Sequence, residues 1–418
     1  MKIYLQTLFL ILSVIFSACT VLRDEYEAEF PIQQIEVPPA AAPVETPPDF
    51  DAASWYAARV RQPDLHAALV VGLDSGKKFA EYNADKLFNP ASLVKLTTTL
   101  AALKKLGAEY RFPVRVLTGG EVDQNGVLHG DLYFAGTAPI FNEISAGVIA
   151  EELKKRGIER ITGKVYVTPD FTFNFHENPE QSAALLARNL RLKNKPESGV
   201  SAQPTGKELF VFRSYPLREI LLYMNTFSSN FVAHRVGDAV GGAEGVRQFL
   251  ISELGFPPEK IQLQTTSGLE ENALTAREVF QVLRALRDEL QRQDLTPVEV
   301  LPMAAERAST LEHRLTETNF KNATVGKTGT FSAADGGIGM ASFAGLIYTQ
   351  NQGVIAYVLI SEGATTAEHK KMQDQFLKEV LGNRIQPNPF GFDTQRKLLP
   401  KAELLIEETI MKNTTEAG

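Results

Sequence analysis

Strand-type runs stand at both ends of the body of this sequence, with helical spacings between them, and this constrains the fold more than any other feature. Residues 67–73 (AALVVGL) read as a buried strand, 74–76 as a turn and 79–82 as the return strand of a hairpin. Residues 324–331, 341–348 and 354–360 read as strands again, and a helix over about 367–381 closes the body. A strand must bury its apolar face against other elements, so the two sets predict one sheet assembled from distant segments, with helices packed on it. The chain has 418 residues, 44% hydrophobic and 22% charged, which is enough apolar content for a large core and excludes disorder as its main state.

Between these ends, Leu93, Leu96, Leu100 and Leu103 share one helical face, and Gly107 stands where a C-terminal cap belongs. Strand signals at 114–118 and 132–134 flank an Asn125-Gly126 turn. A helix over about 145–156 stops at Gly157, and 165–168 reads as another strand. This stretch predicts an inserted β-rich subdomain over 112–205, although 170–205 is too irregular in period for any element to be assigned. Helical spacing returns at Leu217, Ile220, Leu221 and Met224, then around Val246, and again at Val279, Val282, Leu283 and Leu286 behind a Thr275/Glu278 capping box. The expected organisation is a main domain of 51–111 and 206–382, interrupted by the insertion and followed by a loose tail over 383–418 with a short amphipathic piece.

The first residues carry an export signal. Lys2 supplies positive charge, 3–16 form an apolar run of signal-peptide length, and Phe16-Ser17-Ala18-Cys19 resembles a bacterial lipobox, with Phe16 where Leu is usual. Residues 1–19 are therefore expected to be a signal peptide ending at a lipidated Cys19. Prolines at 31, 38, 39, 43, 47 and 48 make 20–50 a semi-rigid linker. Cys19 is the one cysteine, which excludes an intramolecular disulfide and any multi-thiolate metal site. The net charge of −7 provides no basic field for nucleic acid. The six histidines include no His-Glu-x-x-His, no Gly-x-Ser-x-Gly elbow is present, and no metal or cofactor is expected.

Three short motifs bear chemistry. Ser92-x-x-Lys95 opens the leucine-striped helix, and residues three apart on a helix face the same way. A serine hydroxyl is a poor nucleophile at neutral pH unless a neighbouring base takes its proton, and a lysine amine can do so when burial lowers its pKa. Spacing alone is weak evidence, since Ser75-Gly76-Lys77-Lys78 also fits it but lies in a hairpin turn. Ser228-Ser229-Asn230 sits between two helices, where it offers either a helix cap or a hydroxyl and an amide for a substrate. Lys327-Thr328-Gly329-Thr330 lies in a strand-like run suited to an anionic ligand, the glycine allowing a ligand backbone to approach. The order Ser-x-x-Lys, Ser-x-Asn, Lys-Thr-Gly is that of the penicillin-recognising serine acyltransferases.

The segments NPASLVKLTTTLAALKKLGAEYRF, GVLHGDLYFAGTAPIF, RGIERITGKVYV, RSYPLREILLYMNTFSSNFVAH and VGKTGT resemble consecutive blocks of the D-alanyl-D-alanine carboxypeptidase/endopeptidase family, the class C low-molecular-mass penicillin-binding proteins. The similarity runs with gaps from about 60 to 381. It implies an α/β (mixed α+β) fold of the β-lactamase/transpeptidase-like type, with a central antiparallel sheet flanked by helices and a β-rich insertion. It also implies an exported, periplasmic enzyme acting on peptidoglycan stem peptides and acylated by β-lactam antibiotics. In that scheme Ser92 attacks the carbonyl between two D-alanines, Lys95 is the general base, and Ser228 carries the proton to the departing amine. Asn230 orients the peptide, Lys327 acts electrostatically beside Ser228, and Thr328, Gly329 and Thr330 meet the terminal carboxylate. Backbone N–H groups of Ser92 and Thr330 would form the oxyanion hole.

The chain departs from the family pattern in places. The insertion suits one of the two subdomains usual there, Ser229 stands where aspartate is common, Thr266-Ser267-Gly268-Leu269 matches only part of a block, and 332–340 read as extra loop. Two other functions compete with the peptidase. A class A β-lactamase needs a glutamate to activate its deacylating water, and no Glu-x-x-Leu-Asn-like loop lies between Asn230 and Lys327. A catalytically silent peptidoglycan-binding lipoprotein would have no reason to keep all three motifs. His234, four residues after Asn230, reads as a helix-face histidine without a catalytic role.

Overall fold

The structure is a computed structural model that describes residues 48–332, 339–391, 398–399 and 404–408. The expected signal peptide, Cys19 and nearly all of the proline-rich linker lie outside the described residues. The two ends of the body do meet in one sheet. Its five strands are all antiparallel, in the order Thr324–Ser332, Gly339–Tyr348, Val354–Ala364, His66–Gly72, Lys78–Tyr82.

Strict alternation along these strands sends side chains to two different cores. Ala67, Leu69, Val71, Ala344, Leu346, Ala356 and Val358 face one side, where the helices Val94–Leu106 and Ala276–Arg292 pack. Ala68, Val70, Phe343, Tyr357 and Leu359 face the other, against the helices Ala52–Ala57 and Thr366–Leu381. Because both faces are covered, the strands read as continuous apolar runs rather than alternating ones. The Thr275/Glu278 capping box is present as expected, and Thr365/Glu368 forms a second at the closing helix.

A second, six-stranded sheet follows the order Ser198–Val200, Val165–Val167, Leu132–Ala135, Pro113–Thr118, Lys207–Arg213, Leu405–Glu408. Two expectations change here. Lys207–Arg213 lies on the main-domain side of the boundary drawn at 205, yet it pairs with Pro113–Thr118, burying Phe210 and Phe212 in the insertion. The tail expected to be loose supplies the edge strand Leu405–Glu408, which pairs with Lys207–Arg213 and sets Glu407 against Arg213. The stretch left unassigned holds the helix Pro179–Asn189, capped by Asn178. Its buried face is Ser182, Ala183, Leu186 and Ala187, too small and polar to register as an apolar stripe. Of residues 332–340, Ser332 ends one strand and Gly339 and Met340 open its antiparallel partner, while 333–338 lie outside the described residues.

One buried group ties this fold to pH. His66, 3% exposed, stacks on Tyr56 at 5.1 Å beside His369. Burial, then the nearby His369, holds its pKa down to about 4. An unfolded histidine titrates near 6.5, so between these values the unfolded chain binds the extra proton and stability falls as pH falls. Going from pH 7 to pH 5 should therefore destabilise the protein by roughly 2 kcal/mol through this group. Urea unfolding at both pH values measures it. In His66→Phe, which keeps the stacking, the pH difference should shrink, and an unchanged difference would assign the acid sensitivity elsewhere.

Candidate active site

The turn that carries Ser92 is built before its helix begins. Residues Ala91–Leu93 form a 3-10 turn that runs into the helix Val94–Leu106, so Ser92 lies just ahead of the α-helix, not in its first turn. Ala91 has φ of +47°, a left-handed conformation that disfavours a side chain. The surroundings hold it there. Asn89 Oδ1 accepts the Ala91 N–H at 2.9 Å, and buried Ser342 donates its hydroxyl to the Pro90 carbonyl at 2.7 Å. Gly268, at φ +84°, presses on the Ala91–Ser92 peptide so closely that a Cβ there would lie 2.0 Å from the Ala91 oxygen.

Lys95 is fully buried. Its Nζ lies 2.7 Å from Asn230 Oδ1, 2.6 Å from the Ser267 carbonyl and 3.1 Å from Ser92 Oγ. Burial lowers its pKa from 10.5 to about 7. A neutral amine has two hydrogens and one lone pair. Carbonyl oxygens can only accept, so Asn230 and Ser267 take both hydrogens and leave the lone pair facing the Ser92 hydroxyl. That is the geometry of a base waiting for the serine proton.

The second motif divides its labour. Ser228 ends the helix Leu217–Phe227 in a left-handed conformation, φ +53°. Ser229 caps the next helix, Asn230–Asp238, accepting the Val232 N–H at 3.3 Å. An aspartate is an equally good cap, which accounts physically for the serine in its place. Ser228 and Asn230 are thereby both turned toward the lysines. Lys327, fully buried on the edge strand, donates to Ser228 Oγ at 2.8 Å and to the Thr328 carbonyl at 2.6 Å. Burial, and then the charge of Lys95, holds its pKa well below the usual lysine range.

Ser92, Lys95 and Asn230 form one hydrogen-bonded group, and Ser228, Lys327 and Thr328 form another. Gly329 brings them together: a Cβ on it would lie 2.7 Å from the Pro90 carbonyl and 2.2 Å from Ser342 Oγ. Its missing side chain therefore lets the strand pack against the turn that carries Ser92. Thr330 is exposed at the end of this stretch.

Three features beside the site have contacts that the sequence does not reveal. Ser267 and Gly268 contribute a carbonyl and a close packing contact, neither of which a side-chain pattern signals. His234 sits with Nε2 2.8 Å from Ser267 Oγ. An aromatic ledge beside the second motif joins Phe175 of the insertion to Tyr223, Phe227 and Phe231, with ring centroids 4.7–6.0 Å apart. Phe175 and Phe227 are 41% and 44% exposed, available to an apolar part of a ligand.

Residues 56–182 and 168–380 match the D-Ala-D-Ala carboxypeptidase 3 (S13) family. The chain is 25% identical to the carboxypeptidase DacB of Mycolicibacterium smegmatis over 436 residues, 85% of this chain and 91% of that one. Among solved structures it resembles a predatory peptidoglycan endopeptidase of Bdellovibrio bacteriovorus, with a TM-score of 0.65, 20% identity, and 81% and 98% of the two chains covered. A form of that endopeptidase acylated by penicillin G, in complex with an immunity protein, gives a TM-score of 0.64 at 20% identity, covering 81% of this chain and 98% of the other. Penicillin binding protein 4 of Haemophilus influenzae, complexed with a β-lactam, matches with a TM-score of 0.65 at 19% identity, covering 81% of this chain and 100% of the other. The fold is thus the transpeptidase-like one, with a five-stranded antiparallel sheet and flanking helices. With the family match running from Tyr56 to Val380, this chain belongs to the D-Ala-D-Ala carboxypeptidase 3 (S13) family of serine-type peptidases.

Proposed function

We propose that Ser92 is the nucleophile through which this D-Ala-D-Ala peptidase cleaves peptidoglycan stem peptides. The observation that carries the reading is the buried Lys95 amine, set 2.7 and 2.6 Å from two oxygens that can only accept, those of Asn230 and Ser267, and 3.1 Å from the Ser92 hydroxyl, so that the neutral amine has its lone pair left for Ser92. In the first step Ser92 Oγ bonds to the carbonyl carbon between the two D-residues, and its proton passes to Lys95. The C–N bond then breaks, and Ser228, held by Lys327, delivers a proton to the departing amine while the proton taken up by Lys95 is passed on to replace it. Water hydrolyses the resulting ester and restores the serine. Asn230, its oxygen occupied by Lys95, keeps an amide N–H₂ to grip the substrate carbonyl. Thr328, Gly329 and Thr330 line the edge strand along which the C-terminal carboxylate would lie, and the Ser92 and Thr330 N–H groups face the developing oxyanion. A β-lactam presents the same amide and carboxylate, and would acylate the same serine.

A fluorescent penicillin should label the wild-type protein covalently and leave Ser92→Ala unlabelled. Mass spectrometry of stem peptides and cross-linked muropeptides should show loss of D-alanine or opening of the cross-link with the wild type alone. Labelling of Ser92→Ala would sink the assignment.

The peptidase domain is read as 51–111 joined to about 214–382, with the insertion between. The chain is read as exported and held to a membrane by a lipid on Cys19, with 20–50 as the stalk. Among the described residues no helix is long and apolar enough to cross a membrane. If the lipid is the anchor, Cys19→Ala should move the protein from the membrane to the soluble fraction, and retention on the membrane would refute it.

A further inference from the structure

A histidine outside the three motifs lies beside the Lys95 group. His234 lies one turn after Asn230 on the helix Asn230–Asp238, and residues four apart share a face. Its Nε2 is 2.8 Å from Ser267 Oγ, and the carbonyl of the same Ser267 is the 2.6 Å partner of Lys95. The direction of the first bond follows from the neighbours. Ser267 Oγ accepts the Leu269 N–H at 3.2 Å, so its own proton seeks an acceptor. Thr265 Oγ1 is a poor one, 3.4 Å away and already accepting the Gly268 N–H. Neutral His234 offers the better site, and burial, followed by the charge of Lys95, holds its pKa below the usual histidine value.

We propose that His234 is a positioning residue for Lys95: by accepting the Ser267 hydroxyl it fixes the carbonyl that orients the base. The inference rests on the reading of Ser92 and Lys95 as the acylating pair. The charged groups that face His234 are Lys95 from the nucleophile helix, Arg235 and Asp238 on its own helix, and Glu177 from the insertion. On its outer side His234 lines a cleft of about 550 Å³ with Thr265, Thr266 and Asp238. The imidazole therefore also separates Ser267, and Lys95 behind it, from water in that cleft. Removing it frees the carbonyl and wets the surroundings of the amine, which favours the charged form of Lys95.

The experiment is the rate of covalent acylation of the purified chain by penicillin across pH, for wild type, His234→Ala and His234→Gln. His234→Ala should acylate about tenfold more slowly above the acidic limb, the equivalent of one hydrogen bond of about 1.4 kcal/mol. The midpoint of its acidic limb should move to higher pH. His234→Gln, whose amide oxygen can accept the same hydroxyl, should recover most of the rate. The inference is overturned if His234→Ala matches the wild type in rate and midpoint. It is equally overturned if that variant is slow with an unmoved midpoint and no rescue by glutamine, which would mark a purely structural role. A wild type that penicillin does not acylate at all would instead overturn the underlying reading of Ser92 and Lys95.

Discussion

Lys95→Met should slow acylation by penicillin by about three orders of magnitude while leaving the protein folded. The size follows from the loss of a positioned general base, worth roughly 10²- to 10⁴-fold. The pH profile makes the claim specific. With its pKa lowered to about 7 by burial, Lys95 is a free base above neutrality and loses its lone pair to a proton below it. The wild-type rate should therefore level off above pH 7 and fall about tenfold for each pH unit below it. The methionine variant should lose that limb. Folding should change little, because two effects oppose each other. Methionine removes the desolvation cost of a buried amine, but it leaves Asn230 Oδ1 and the Ser267 carbonyl without their donor. Each effect is on the order of 2–4 kcal/mol, so the melting temperature should shift by only a few degrees. Stopped-flow acylation between pH 5 and 9, with melting curves alongside, tests both parts. A wild-type rate that is flat over this range would remove Lys95 from the role of base.

Gly268→Ala should damage activity and stability together. The backbone of Gly268 is left-handed, and the added Cβ would lie 2.0 Å from the Ala91 oxygen, 2.4 Å from its carbonyl carbon and 2.9 Å from the Ser92 nitrogen. These are backbone atoms and cannot swing aside as a side chain would. The peptide that bears the nucleophile must move, yet Asn89 and Ser342 pin the same turn from other directions. A displacement of about 1 Å in a reacting group can reduce rate by about 100-fold, and strained backbone of this kind costs about 1–3 kcal/mol. Acylation should thus drop at least about 100-fold and the unfolding midpoint in urea should fall clearly. If acylation stayed within a few-fold of wild type, the Ala91–Ser92 turn would be shown to yield without loss of geometry.

Much of the site was legible because its chemistry is written in local patterns. The Ser-x-x-Lys spacing at a helix start, the Ser-x-Asn between helices and the Lys-Thr-Gly in a strand each appear within four consecutive residues. The capping box at Thr275 is equally local. The buried strands of the main sheet announced themselves as apolar runs. What was missed had weak or absent local signals. The helix Pro179–Asn189 buries serine and alanine. The strand Leu405–Glu408 becomes one only by adding to an edge supplied nearly two hundred residues earlier. Ser267 acts through its carbonyl, which every residue possesses.

The sequence by itself determined which groups could react, the order in which they occur and the elements that carry them, since periodicity and capping depend on residues a turn or two apart. Only the tertiary structure decided that Lys95 is buried with the lowered pKa that a base requires. Its lowered pKa comes from burial beneath Asn230 and Ser267, which lie 135 and 172 residues away along the chain. Desolvation is a property of everything packed around a group, and no pattern along the chain contains it.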